Sequence, residues 1–514
     1  MGQTTYLLVS IVKLKNNIMK FKILLVILIG TLISCQKIET ENKKYEAKWS
    51  SLSKHNESPQ WFKDSKFGIY FHWGVYSVPE FNSEWYPRNM HLKDHKVYKY
   101  HLENYGHPSE FGYHDFVPMF KAEKFNSSEW ARLFKEAGAK FAGPVAEHHD
   151  GFSMWASKVS PWNVYDKGPK KDIMMELKNS IEENDMKFIA TFHHAKHLQR
   201  SKEINQENPL SHYPFLDDMP TSSDDPELSL LYGNMDENKW YENIWFGKLK
   251  EVIDNYSPDI IWFDYVLDEI PEKFRKKFAA YYLNNSNDKE VVIVRKQHDL
   301  PQSLSIEDLE QSRKNEIGNK TWMTDATVSD GSWSYTKNLK VKSASKVLHM
   351  LIDIVSKNGV LLLNVSPKAN GEIPKNQIEV LESIGRWLKK NGESIYGTEA
   401  WYRFGEGPTV QPEGHFKNRD IFHKLEYSSK DIRYTVKNYD IYAIFLGEIK
   451  GNQKVILKSF SKEAITDLVR VKDVELLETR NKLNWNLDSD GLHIEIPEGK
   501  YDELASVIKI TTDG

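Results

Sequence analysis

The sequence predicts an α/β chain: an irregular (β/α)8-like barrel over residues 57–400, followed by a β-sandwich over residues 401–514. Three observations predict it. Short apolar runs alternate with helical periods, the polar or ionisable cluster lies at the C-terminal end of nearly every run, and beyond about Trp401 short strands and turns replace the helical pattern. Runs that are apolar throughout are those of parallel strands covered on both faces. Open doubly wound sheets alternate in the same way but gather ligand residues at a switch point, whereas clusters spread over many strand ends mark a barrel rim. At 514 residues, two folded domains are the default.

The chain opens on a processing segment. Met19-Lys20-Phe21-Lys22 is basic, residues 23–29 are apolar but too few to span a bilayer, and Leu32-Ile33-Ser34-Cys35 resembles the lipobox of bacterial lipoproteins. Residues 1–35 therefore read as a lipoprotein signal peptide whose start is Met19. Cys35, the only cysteine, reads as the lipid-anchor site of an exported protein in the periplasm or at the outer membrane and cell surface. The polar stretch 36–56 reads as a tether.

Eight strand-like segments follow. The first, 67–74, ends in His72-Trp73-Gly74, with Ser83-Glu84-Trp85-Tyr86 in the loop beyond. A helical stretch at 128–137 leads to a strand at 141–147 that delivers His148-His149-Asp150-Gly151. A helix at 172–184 precedes the strand 188–192 and His193-His194. A helix at 238–255 precedes the strand that ends in Trp262-Phe263-Asp264. Segments 290–295, 303–310, 321–325 and 359–367 complete the set with weak or missing helices between some of them, and a helix at 377–391 closes the domain.

The rim predicted by these strand ends carries acids, histidines and aromatic faces together. Glycoside cleavage needs two carboxylates flanking the anomeric carbon, together with polar groups for hydroxyls and a flat apolar face for the ring. Asp264, Glu84, Glu307, Glu310 and Asp325 are the candidate acids. His72, His148, His149, His193 and His194 supply polar contacts, and Trp73, Trp85, Trp262 and Trp333 are candidate platforms. Considered singly, Asp264 could equally cap the helix that follows its strand, and Glu307 or Glu310 could be an exposed loop charge.

Taken together, the segments resemble the α-L-fucosidases of glycoside hydrolase family 29. The resemblance rests on residues 61–79, Ser83-Glu84-Trp85-Tyr86, His148-His149-Asp150-Gly151-Phe152, Ser160-Pro161-Trp162-Asn163-Val164, Gly168-Pro169-Lys170-Lys171-Asp172, Trp262-Phe263-Asp264 and residues 355–367. It covers about residues 61–397 and, more loosely, the C-terminal sandwich. It implies a retaining exo-α-L-fucosidase acting on fucosylated oligo- or polysaccharides. Asp264 matches the nucleophile, and His72, Glu84, His148, His149 and Trp262 match positions that bind the sugar. His193 or His194 stands in place of a sugar-contacting Tyr, and Arg295 matches a substrate-side Arg. Glu310 fits the acid/base position best, with Glu307 second. Many relatives carry Trp-Glu where this chain has Trp322-Met323, a departure that bears on the leaving-group side.

Other readings have signatures of their own. His148-His149-Asp150 and His193-His194-Ala195-Lys196-His197 hold zinc-ligand types, but adjacent strand residues face opposite ways, and neither a Cys partner nor a His-Glu-x-x-His helix is present. No metal or organic cofactor is expected. The net charge of −4, with basic residues scattered, offers no footprint for nucleic acid and leaves the Cys35 anchor as the only expected membrane contact. A glycan-binding lipoprotein that lost its chemistry, or an α-L-galactosidase, would share the fold and part of the rim.

Overall fold

The computed structural model describes residues 45–200, 210–287, 289–411, 424–463 and 469–513. The export segment, Cys35 and the first part of the tether lie outside the described residues. Among the described residues, no helix is long and apolar enough to cross a membrane. The tether does not reach residue 56 as expected: Trp49–Leu52 is helical, Leu52 is buried, and His55 hydrogen-bonds through Nε2 with the Val291 carbonyl at 3.0 Å. Trp49 and Leu52, three apart, form an apolar face that a charged neighbourhood concealed.

Eight parallel strands form the first sheet: β1 (Phe67–Phe71), β2 (Phe141–Glu147), β3 (Lys187–Phe192), β4 (Ile260–Phe263), β5 (Val292–Arg295), β6 (Ile306–Glu307), β7 (Trp322–Thr327) and β8 (Gly359–Val365). Their order is β6-β5-β4-β3-β2-β1-β8-β7, and β6 and β7 meet through a parallel bridge at Asp308 and Met323, with the Leu309 N–H donating to the Met323 carbonyl at 2.9 Å. That bridge brings the two ends of the sheet together in a nearly closed barrel. Every residue of β1, β2 and β8 is buried, as strands roofed by helices must be.

The roof comprises α1 (Ser127–Glu136), α2 (Ile173–Glu183), α3 (Phe246–Tyr256), α4 (Glu272–Asn284), α5 (Ala344–Val355) and α6 (Lys375–Asn391). Asn126 and Asp172 cap α1 and α2 by accepting from Glu129 N and Met175 N, which satisfies backbone donors that have no helical partner. The helix expected over 238–255 is divided by a π-helical stretch, Trp240–Trp245, before α3. Among the described residues no helix joins β5 to β6 or β6 to β7, which is the irregularity anticipated for the barrel. The strand expected over 303–310 is only Ile306–Glu307 with the bridge at Asp308.

Beyond α6 the chain builds β9 (Glu399–Glu406), β10 (Ile432–Lys437), β11 (Asp440–Phe445), β12 (Gln453–Leu457), β13 (Val471–Leu476), β14 (Asn481–Lys482), β15 (Asn484–Leu487), β16 (Leu492–Ile496) and β17 (Ser506–Thr512). One antiparallel sheet runs β9-β10-β11-β17-β13-β14 and another β12-β16-β15. Tyr434, Ile441, Ala443, Ile508 and Ile510 of the larger sheet share one core with Leu457, Leu492, Ile494 and Ile496 of the smaller, which makes the lobe a sandwich.

Candidate active site

Strand periodicity decides what enters the barrel mouth. Tyr70, Ile189, Trp262, Val294, Ile306, Met323 and Leu362 pack in one interior cluster. One step further along the same face come His72, Asp264, Lys296, Asp308, Asp325 and Asn364, with His193 two steps beyond Ile189. The barrel floor is therefore apolar and its mouth polar. A cavity of about 1030 Å³ opens there, lined by His72, Glu84, Trp85, His148, His149, His193, Asp264, Lys296, Glu307, Glu310, Asp325 and Trp333 among others. Its size suits a saccharide.

Asp264 is the hub. Its Oδ2 lies 3.3 Å from His149 Nε2 and 3.1 Å from His193 Nδ1, and its Oδ1 lies 3.0 Å from Lys296 Nζ. Its backbone N–H donates to the Phe192 carbonyl at 3.0 Å, extending the pairing of β3 and β4 by one residue. Burial would push its carboxyl up, but Lys296, His193 and the hydrogen bonds from His149 and His193 hold it well below the usual range. Lys296 also meets Glu310 Oε2 at 2.8 Å and Asp325 Oδ2 at 3.3 Å, over the Trp262 ring at 4.7 Å. Burial alone would lower its ammonium pKa, yet Asp264, Asp325, Glu310 and Asp308 carry it well above the ordinary value. It is a fixed cation.

Glu310 differs from Asp264 in the sign of its shift. Burial raises its carboxyl, Asp325 and Asp264 add to the rise, and Lys296 opposes it. Oxygens of Asp264 and Glu310 that lie 3.0 and 2.8 Å from the same Nζ can be no more than 5.8 Å apart. Glu307 stands on the opposite face of β6 from Ile306, paired with Lys314 at 3.2 Å, and borders both the cavity and a neighbouring groove. Asp325 accepts from the Tyr70 hydroxyl at 2.9 Å. Asp308 beside it is buried, and burial followed by Asp325 holds its carboxyl well above the usual range.

The histidines form one wall. His72 is oriented by Asn364, whose Oδ1 lies 2.8 Å from Nδ1 and accepts the His72 backbone N–H at 2.9 Å. His148 stacks on His193 with centroids 4.8 Å apart, and His149 hydrogen-bonds with the His193 carbonyl through Nδ1. Burial holds His72 and His148 well below the ordinary imidazole value and lowers His149 to about 4 against the opposing pull of Asp264. The turn behind it is built by Asp150, which accepts from Tyr113 at 2.6 Å, and by Gly151 at φ +78°, where a Cβ would lie 2.7 Å from the Leu231 carbonyl. Glu84 Oε2 accepts from the Trp333 and Ser334 N–H groups at 3.1 and 3.3 Å, tying the first rim loop to the last. Trp85 and Trp333 stand at the rim, 5.2 Å from His149 and 5.4 Å from His72 between ring centroids.

Several expectations are corrected by the alternation of side chains. Trp73 follows Phe71 on the outer face, donates to the Lys368 carbonyl at 2.7 Å and packs on Phe120, Phe125 and Trp130. His194 also points outward, onto Trp245, whose carbonyl lies 3.2 Å from Nε2. Arg295 is buried outside the barrel against Ser305 and the Gln297 carbonyl; its neighbour Lys296, not among the expected site residues, enters the mouth instead. No local signal separates the two, since Val291 and Ile293 before Arg295 are as apolar and as buried as Val292 and Val294 before Lys296. Trp262 is completely buried and forms the floor under Lys296 and His193. Met323 lies in the interior cluster below the cavity, so the acid presented by β7 is Asp325.

One argument against metal binding is also corrected: His148 and His149 both line the cavity, because β2 ends at Glu147 and the chain turns. Ring nitrogens of His72, His148 and His193 lie within 4.8 Å of one another, as do ligand atoms of His149, His193 and Asp264. The same atoms suit sugar hydroxyls, and His193 and His149 already serve Asp264.

Comparison with known proteins follows the two lobes. The family model described as Alpha-L-fucosidase matches residues 32–393, and that of the Alpha-L-fucosidase C-terminal domain matches residues 426–511. Plasma alpha-L-fucosidase of Homo sapiens is 29% identical over 486 residues, 88% of this chain and 89% of that one. Tissue alpha-L-fucosidase of Homo sapiens is 28% identical over 513 residues, 95% and 96% of the two chains. The crystal structure of Thermotoga maritima alpha-fucosidase in complex with fucose superposes with a TM-score of 0.70 at 28% identity, over 91% of this chain and all of that one.

Proposed function

The chain belongs to the α-L-fucosidase family, and from that premise we infer that it is a retaining exo-acting glycoside hydrolase that removes terminal α-L-fucosyl residues from glycans. The observation that carries the mechanism is the pair of carboxyl groups at one cavity wall with opposite shifts. Asp264, held ionised, is the nucleophile, and Glu310, held toward its protonated form, is the acid/base. Asp264 Oδ1 and Glu310 Oε2, at most 5.8 Å apart through their shared contact with Lys296, are compatible with double displacement, for which a carboxyl separation of about 5–5.5 Å is usual. Asp264 attacks C1 as Glu310 passes its proton to the departing oxygen. Water then attacks C1, gives its proton to Glu310 and frees Asp264. The wall of His72, His148, His149 and His193 offers the ring hydroxyls polar contacts, with Trp85 and Trp333 as apolar faces.

The test is hydrolysis of an aryl α-L-fucoside with azide present. Asp264→Ala should lose roughly four orders of magnitude in kcat. Glu310→Ala should keep the first step, because an aryl leaving group needs little acid, and should release α-fucosyl azide. An unaffected Glu310→Ala moves the acid to Glu307. A wild-type protein inert on this substrate and on fucosylated glycans would overturn the activity itself.

We further propose a lipid-anchored envelope protein, exported by the segment 19–34 and acylated at Cys35. Its support is residues 19–35 alone. Cys35→Ser should move the activity from the membrane fraction to the soluble one, and an unchanged distribution would exclude the anchor.

A further inference from the structure

Two buried cations line the cavity, Lys196 and Lys296, and among the described residues only Lys296 pairs with both Asp264 and Glu310. Lys296 sits inside the barrel mouth at 3% side-chain exposure, with Nζ 3.0 Å from Asp264, 2.8 Å from Glu310 and 3.3 Å from Asp325. Its stem follows the inner face of β5 from Val294, and the Trp262 ring backs its ammonium. The first chemical step moves one unit of negative charge across this position. Before it, Asp264 is a carboxylate and Glu310 a neutral acid. Afterwards Asp264 is a neutral glycosyl ester and Glu310, its proton now on the departed alcohol, is the carboxylate. The second step reverses the transfer. Lys296 faces one anion of the pair in both states.

Building on the assignment of Asp264 and Glu310, we propose that Lys296 is a positioning residue serving as the stationary counter-charge of the migrating anion. It holds the nucleophile ionised in the free enzyme and the base ionised in the glycosyl-enzyme. A cation fixed by the fold does this without the solvent reorganisation that water would need. Asp325 gives Lys296 a permanent partner, with the Tyr70 hydroxyl and Asp308 behind it. The other groups facing the pair are His72, His149 and His193 from the ends of the first three strands, and Lys196 from the loop after β3. The histidines are shared with the sugar, and Lys196 is over the Trp85 ring at 5.1 Å. Lys296 alone contacts both carboxylates through ion pairs among the described residues.

The experiment is the pH dependence of kcat/KM on an aryl α-L-fucoside for wild type, Lys296→Met, Lys296→Gln and Lys296→Arg, with folding checked by circular dichroism. Lys296 favours the ionised form of both carboxyl groups, so its loss should raise both pKa values. The acid and alkaline limbs should each move upward by about one pH unit or more. Lys296→Met should also show a burst, because a base that ionises less readily slows hydrolysis of the glycosyl-enzyme. Lys296→Arg should return both limbs toward wild type. If Lys296→Met does not fold, Lys296→Gln, of similar size and able to hydrogen-bond, carries the measurement. Lower kcat/KM with both limbs in place, or an arginine variant whose limbs match those of the neutral ones, overturns the proposal. Failure of azide rescue in Glu310→Ala would instead overturn the assignment on which it rests.

Discussion

At the residue scale, Met323 and Asp325 point to the same side of β7 and meet different surroundings. Met323 is enclosed by the barrel interior, while Asp325, one step further, reaches Tyr70 and Lys296. Met323→Glu should therefore place a carboxyl among apolar side chains. We expect a loss of about 3 kcal/mol or more by urea unfolding and no gain in kcat/KM. An active, equally stable variant would show that the strand can rotate or water can enter below Asp325. The same alternation separates Lys296 from Arg295 and His193 from His194. Which side each neighbour takes was not legible in the sequence, because the residues two before them, Ile293 and Val294 or Thr191 and Phe192, are buried alike.

At the element scale, the rim depends on how helices hold the strand ends. Lys248 of α3 is completely buried and reaches Glu147 at 2.8 and 2.6 Å and the Gly151 carbonyl at 3.3 Å. It thus grips both the last residue of β2 and the turn bearing His148 and His149. Lys248→Met leaves Glu147 buried beside Ser153 alone, a change that should cost about 3–5 kcal/mol and raise KM as the histidine turn loosens. Pairing it with Glu147→Leu removes the stranded charge and should recover much of the stability, read by denaturant unfolding. Recovery of stability without recovery of KM would assign the grip on Gly151 to substrate binding. The sequence showed α3 by its apolar period, but a lysine inside that period reads as surface until its partner, about a hundred residues away, is known.

At the scale of the whole molecule, the two lobes are joined through buried charge. Asp353 of α5 meets Arg433 of β10 at 2.6 Å, Lys357 at 3.0 Å and Arg313 at 3.5 Å. Trp387 of α6 donates to the Ala505 carbonyl at 2.7 Å, and Thr435 to the Ser394 carbonyl at 2.7 Å. Burial would push the Asp353 carboxyl up, but Lys357, Arg433 and Arg313 hold it well below the usual range. A carboxyl depressed by folding contributes stability that is complete above its unfolded pKa of about 3.9 and disappears as pH falls through the folded value. Calorimetry should accordingly show one transition for both lobes near neutral pH. Asp353→Asn should lower its temperature, with a loss of stability of about 3–5 kcal/mol, and reduce the further loss in acid. Two separate transitions at neutral pH would show that the sandwich is only tethered.

The strand ends, the polarity of the rim, Asp264 and the change of pattern near Trp401 were determined by the sequence itself. They follow from local periodicity, which chain neighbours set. Tertiary structure decided the rest: that Glu310 and not Glu307 meets the cation beside Asp264, that Lys296 and Asp325 belong to the mouth, and that Trp73, His194 and Arg295 do not. Charges act through distance in space, and a closed barrel brings together strand ends that lie far apart in the chain. The opposite shifts of the Asp264 and Glu310 carboxyl groups therefore became legible only when the strands that carry their neighbours met.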